Sequence, residues 1–205
     1  MKRIIALVLV VVLAALSLAA CAPATPEYTV AVGVDREAEA TEVADTVVIL
    51  VLDKDGKIVK ASIDTLAVKP SQTTAQQSKK DLGDAYNMVA WGNATQEWYK
   101  QAEAYEAALV GKTKDEALAL NAKEGVLETT CTIGIESFEA AVANAFDSDA
   151  KKTVKIVEGV DVVVALKVVS TYTDGAFSIN YTASAAVGEE KAEFSGNNAV
   201  TFPAE

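Results

Sequence analysis

The sequence predicts an α+β fold in which antiparallel β hairpins flank a helical middle. Valine-rich runs that turn on an Asp-Gly pair stand toward either end of the chain, at Asp55-Gly56 and Asp174-Gly175. Between them, apolar residues recur at helical spacing from Trp98 to Leu109 and from Phe138 to Phe146. Strands grouped apart from helices point to α+β rather than to alternating parallel units.

The first hairpin region runs from Tyr28 to Val34 and from Thr46 to Asp53, and the second run meets Lys57 to Asp64 across Asp53-Lys54-Asp55-Gly56. A calcium loop of the EF-hand kind needs glycine at its sixth position and a distant glutamate; here glycine is fourth, so the tetrapeptide reads as a plain turn. After Pro70 a polar connection, Ser71 to Gln77, leads into compact turns over Asp81 to Met88. Asn93, with Gln96 three residues on, fits a capping box for a helix that carries Trp98, Ala102, Tyr105 and Leu109 on one face and stops at Gly111. Thr113 and Glu116 form a second capping box, opening a shorter helix.

Leu127 to Ile135 alternates, with Leu127, Cys131, Ile133 and Ile135 on one side, and is read as a half-buried strand. Phe138, Ala141, Val142, Ala145 and Phe146 then define an amphipathic helix. Beyond Lys152 the pattern returns to β, with Val154 to Val157, Val162 to Ser170 and Phe177 to Ala186. The expected organisation is a leader over residues 1–20, a tether over 21–27, an α+β domain over 28–150, and a C-terminal β segment over 151–205 that packs on it or forms a partial repeat.

The leader is the most specific signal. Lys2 and Arg3 precede an apolar stretch from Ile4, and Leu18-Ala19-Ala20-Cys21 has the small residues and trailing cysteine of a bacterial lipobox, which makes Cys21 the expected lipidation site. The chain is then an extracytoplasmic lipoprotein, held at the cell membrane through that lipid. Loss of Lys2 and Arg3 on cleavage takes the net charge from -11 to -13, which repels nucleic acid. The absence of histidine removes the commonest general base and transition-metal ligand, and with Cys21 acylated, Cys131 is left without a disulfide partner. A metal site is not expected, and an electron carrier or binding protein fits better than a hydrolase or transferase. Gly111-Lys112-Thr113 is no phosphate loop, because Glu106 stands where its first glycine belongs.

Several stretches, Leu52–Val59, Lys79–Met88, Glu97–Ala102, Val110–Thr113 and Thr132–Ile135 with its following helix, resemble lipoproteins of Gram-positive anaerobes related to the FMN-binding domain of respiratory electron-transfer subunits. That resemblance spans about residues 43–146. It implies an FMN-binding-domain-like fold, FMN as cofactor, electron transfer at the cell surface and a membrane redox protein as partner. Covalent members carry FMN on the threonine ending a motif similar to Asp-x-x-Ser/Thr-Gly-Ala-Thr, and Thr132 stands at that position with Thr129 at the Ser/Thr position. Val126, Thr130 and Cys131 depart from it. The candidate cofactor-binding residues are therefore Thr132, Thr129, Thr130 and Gly134, the glycine leaving room for a bulky group beside the amides of the helix near Ser137. Trp91, Trp98, Tyr86 and Met88 are residues able to stack on a flavin ring, although Trp98 and Tyr105 also have the spacing of core residues. The alternative is a flavin-free surface binding or structural module on the same scaffold, which the departures in the motif favour.

Overall fold

A computed structural model describes residues 26–92, 94–121 and 123–204; Cys21 and the leader, Asn93 and Ala122 lie outside the described residues. The chain builds a first sheet from β1 (Glu27–Ala38), β2 (Val43–Leu52), β3 (Ile58–Val68) and β4 (Lys152–Lys155), in the order β3-β2-β1-β4. All neighbouring strands are antiparallel, with Thr29 facing Leu52 and Ala38 facing Val43 across β1 and β2. The turn between β2 and β3 is the predicted one: Asp53 Oδ1 accepts the amides of Asp55 and Lys57 at 2.9 Å each, and Gly56 takes the positive φ of 75° that the turn requires.

All ten residues of β2 are buried, because this strand is covered on both faces. Strand side chains alternate in direction, so Val48, Leu50 and Leu52 enter one core while Val47, Ile49 and Val51 enter another. A strand buried on both sides reads as a continuous apolar run, which is the reason for the Val47-Val48-Ile49-Leu50-Val51-Leu52 sequence.

The first core is closed by helices. After the short α1 (Lys79–Leu82), a single 3-10 turn and α2 (Met88–Gly92) come α3 (Trp98–Leu109), α4 (Lys114–Leu118), the one-turn α5 (Leu127–Thr130) and α6 (Glu136–Asp147). Trp98, Ala102, Tyr105 and Leu109 of α3, and Phe138, Ala141, Val142 and Ala145 of α6, are the predicted stripes and are buried. Phe138 packs edge-on to Trp98 at 5.7 Å and tilted to Tyr105 at 5.5 Å. α6 lies directly on β1: a Cβ at Gly33 would come within 2.1 Å of the Ala141 carbonyl oxygen.

The second core is closed by another sheet, β5 (Val163–Thr173), β6 (Ala176–Val187) and β7 (Glu190–Ala199), antiparallel in that order. Its inner side chains, Val168, Phe177, Ile179, Ala183 and Ala185, meet Val30, Val32, Val47 and Ile49. The architecture is therefore three layers, helices on sheet on sheet, and the α+β class with antiparallel sheets holds. A polar bracket joins the two sheets at one end. Arg36 forks onto the buried Asp45 at 2.6 and 2.9 Å, Asn198 of β7 donates to the same carboxylate at 2.9 Å, and Arg36 also donates to the Ala199 carbonyl at 2.6 Å.

Two expectations need correction, and one strand has no counterpart in the sequence pattern. Leu127 to Ile135 is not a strand: Leu127, Cys131 and Ile135 are the buried positions, and a spacing of four is satisfied by the turn of α5 and the chain running into α6. The α3 helix begins at Trp98 with Glu97 at its N-cap, later than the predicted box at Asn93. β7 was not foreseen, because its polar composition with Gly196, Asn197 and Asn198 lacks a strand's apolar alternation.

Candidate functional site

The site to which the sequence drew attention is the segment between α5 and α6, and one buried side chain on α3 organises it. Gln101, wholly buried, lies one position before Ala102 on the inner face of α3. Its Oε1 accepts from the Thr132 amide at 2.7 Å, the Thr132 hydroxyl at 3.2 Å and the Ile133 amide at 3.2 Å, while its Nε2 donates to the Gln96 carbonyl at 2.8 Å. Buried amides without partners are costly, so this one group both pins the segment and satisfies the donors that leaving a ladder exposes. Sequence reasoning missed Gln101; the available signal was a polar residue inside the Trp98–Leu109 apolar stripe.

The four candidate residues separate into two sets. Thr132 and Gly134 line an open cleft of about 780 Å³ together with Asn121, Glu128, Glu136 and Glu139. Thr129 and Thr130 do not line it; their hydroxyls bond back to the Val126 carbonyl at 3.3 and 2.7 Å, closing the turn of α5. The room expected beside Gly134 is taken by Glu136, whose Oε2 would lie 2.6 Å from a Cβ there. Burial, and then the neighbouring Glu136, push the Glu139 carboxyl above its ordinary value. Cys131 is buried and its thiol is pushed up by desolvation, which makes it a packing residue. Among the described residues no cluster of three or more acidic or cysteine side chains is arranged to hold a metal ion.

The aromatic candidates also part company. Trp98 is 3 % exposed and belongs to the core, Tyr86 and Met88 pack partly against it, and Trp91 stands 84 % exposed on α2. Lys79, which the sequence offered only as the start of the Lys79–Met88 stretch, has its ammonium 5.6 Å from the Tyr86 ring centre and 5.5 Å from that of Trp98. Desolvation lowers its pKa. Close by, Asp64 accepts from the Thr65 and Lys80 amides at 2.8 and 3.1 Å, and Lys80 pairs with Glu106 at 2.5 Å.

Gln101, Asp45 and Asp64 thus each accept hydrogen bonds from within the fold. The family follows from sequence comparison. The profile described as "Mfa2: Fimbrillin-A associated anchor proteins Mfa1 and Mfa2" matches residues 23–132, more than half of the chain, and the protein belongs to that family. No curated protein and no solved structure matches it.

This assignment overturns the FMN-binding reading. The matched residues include four of the five stretches that suggested a flavin domain, and they belong to an anchor family of fimbriae; electron transfer to a membrane redox protein falls with the resemblance that implied it. Of the two functional readings, the surface structural module is the one that the family supports. Among the described residues no helix is long and apolar enough to cross a membrane.

Proposed function

We infer that the chain is a surface anchor that holds a fimbrial subunit at the cell envelope through a lipid on Cys21. Family membership supports the fimbrial half of this reading, since its members are described as fimbrillin-A associated anchor proteins. The lipobox ending at Cys21 supports the other half.

The observation that carries the reading is the seating of β1. Its first residues, Glu27 to Val30, are paired on one side with β4, and from Thr29 onward the strand is paired on the other side with β2. A pull on the chain upstream of Glu27 acts along the strand axis, so it loads the β1 ladders in shear, many hydrogen bonds at once. A terminal strand peeled from a sheet edge would yield one bond at a time. Cys21 lies only a few residues upstream, a segment that extends at most roughly 20 Å, so the lipid grips the fold through a strand paired on both sides near its start.

Deleting the gene tests this reading. Cells without the protein are expected to shed their fimbriae into the medium, with attachment restored by the intact chain; fimbriae that stay attached at the usual number would overturn it.

A further inference from the structure

Trp91 and Val89, 84 % and 44 % exposed, stand on α2, a helix fixed to the body of the protein. The Glu97 carboxylate, 8 % exposed, accepts the Met88 and Val89 amides at 2.8 and 3.2 Å while Glu97 forms the N-cap of α3. The tryptophan is therefore mounted rather than loose. The sequence around it, from Ala85 to Gln96, contains no charged residue in a chain that is 23 % charged. Tyr86, Met88 and Trp91 fall within that stretch, and aromatic residues and methionine with few charges are the composition of interface cores.

The position of α2 identifies what it meets. The chain that leads back to Cys21 enters at Glu27, beside Leu52 and Ile58, and the C-terminal end of α3 is bonded to that same end, Gly111 donating to the Ile58 carbonyl at 2.7 Å. The other end of α3 carries α2: Met88 and Trp98 line one cavity with Glu37 and Thr65, at the far end of the sheet. β1 alone spans roughly 40 Å between these ends. A lipid on Cys21 thus holds one end at the membrane and leaves α2 facing outward.

We propose that α2 is the surface that grips the fimbrial subunit, with Trp91 inserted in an apolar pocket of that protein and Val89 at its rim. This rests on the anchor reading and adds its contact residues. The occupant is a protein from the outer side, since the chain's own tether leaves from the opposite end.

The test uses the full chain, extracted from membranes in detergent, with Trp91→Ala and Val89→Asp variants, on a biosensor coated with fimbriae sheared from the producing cells. Both side chains are exposed, and unchanged melting curves verify that the variants fold. Trp91→Ala is expected to weaken binding at least about tenfold and Val89→Asp by less, as truncation of an interface tryptophan does. Equal binding by the original chain and Trp91→Ala overturns the inference and leaves the anchor reading standing. No binding by the original chain overturns both. Loss by Trp91→Ala of binding to phosphatidylcholine–phosphatidylglycerol vesicles, with fimbria binding unchanged, also overturns it and assigns the tryptophan to the membrane.

Discussion

The two faces of the first sheet are sealed by different means. On the helical face, three large aromatics, Trp98, Tyr105 and Phe138, fill the space between α3 and α6, and α6 touches the backbone of β1 at Gly33. On the opposite face the contacts are mostly valine, isoleucine and alanine, and the two sheets are fixed at one end by the Arg36–Asp45–Asn198 bracket. One face is specified by shape and tolerates no added volume. The other is specified by a buried charge that must find its partners. The same β2 strand serves both, which explains why its residues are buried throughout and why its one charged side chain, Asp45, is held in the bracket.

Substitutions on each face should therefore fail for different reasons. Gly33→Val is the most damaging: side-chain atoms would enter space already held by the Ala141 and Ala145 backbone, which cannot yield as a side chain can, and a loss of about 3 kcal/mol or more is expected in denaturant unfolding. A stable Gly33→Val protein would mean that α6 does not rest on β1. Asp45→Ala acts on the other face by leaving Arg36 and Asn198 without their acceptor. Because Arg36 is partly exposed, the expected loss is about 2 kcal/mol rather than the full value for a buried pair. If Arg36→Met in the Asp45→Ala background recovers none of that loss, the bracket is not what sets the register of the two sheets.

A smaller effect separates buried carboxylates from neutral groups. Burial raises the Asp64 pKa above its ordinary value, outweighing the Ser78, Lys80 and Thr65 contacts that lower it. The folded protein therefore holds this proton over a pH range in which the unfolded chain has lost it. Stability from this group is present below the unfolded value and falls as pH rises through the folded one. Asp64→Asn keeps an acceptor for the Thr65 and Lys80 amides but removes the slope, so melting temperatures measured across the acidic range should fall less steeply with rising pH in the variant. Identical slopes would remove Asp64 from the account. The smallest effect is at Tyr105, whose buried hydroxyl has no hydrogen-bond partner. Tyr105→Phe is expected to be neutral or to stabilise by up to about 1 kcal/mol; a loss of that size would reveal a partner for the hydroxyl.

The helical face was the more legible in the sequence. Stripes such as Trp98–Ala102–Tyr105–Leu109 are regular because a helix presents every third or fourth residue to one surface, and the Asp53 turn and the Thr113–Glu116 box announce themselves through local hydrogen bonds. What escaped depended on distant partners. Leu127, Cys131 and Ile135 satisfy spacings of two and of four alike, and only the Gln101 side chain, brought from another helix, fixes the second choice. β7 carries few apolar residues because its inner face includes Gly196, over which the Tyr181 ring lies, so a glycine there reads as a breaker in sequence and as a packing site in space.

The functional misreading has the same origin. The stretches that resembled a flavin domain consist largely of turns, helix caps and an aromatic-rich helix start. Those are solutions to chain geometry that unrelated folds share, and the Thr129 and Thr130 hydroxyls are turned back onto the Val126 carbonyl. Cys21 carried a different kind of signal, a processing signal that depends on no fold. Trp91 was singled out as an aromatic able to face a cofactor; its exposure on α2 turns it outward instead.

Fimbrial anchoring by this chain turns on lipid attachment at Cys21. Feeding cells an alkyne fatty acid and following the protein and its fimbriae in wild type and in a Cys21→Ser strain measures it. The expected result is a labelled, membrane-bound protein carrying fimbriae in the wild type, and an unlabelled protein with fimbriae shed into the medium in Cys21→Ser. Fimbriae retained at wild-type numbers by an unlabelled Cys21→Ser protein would contradict it.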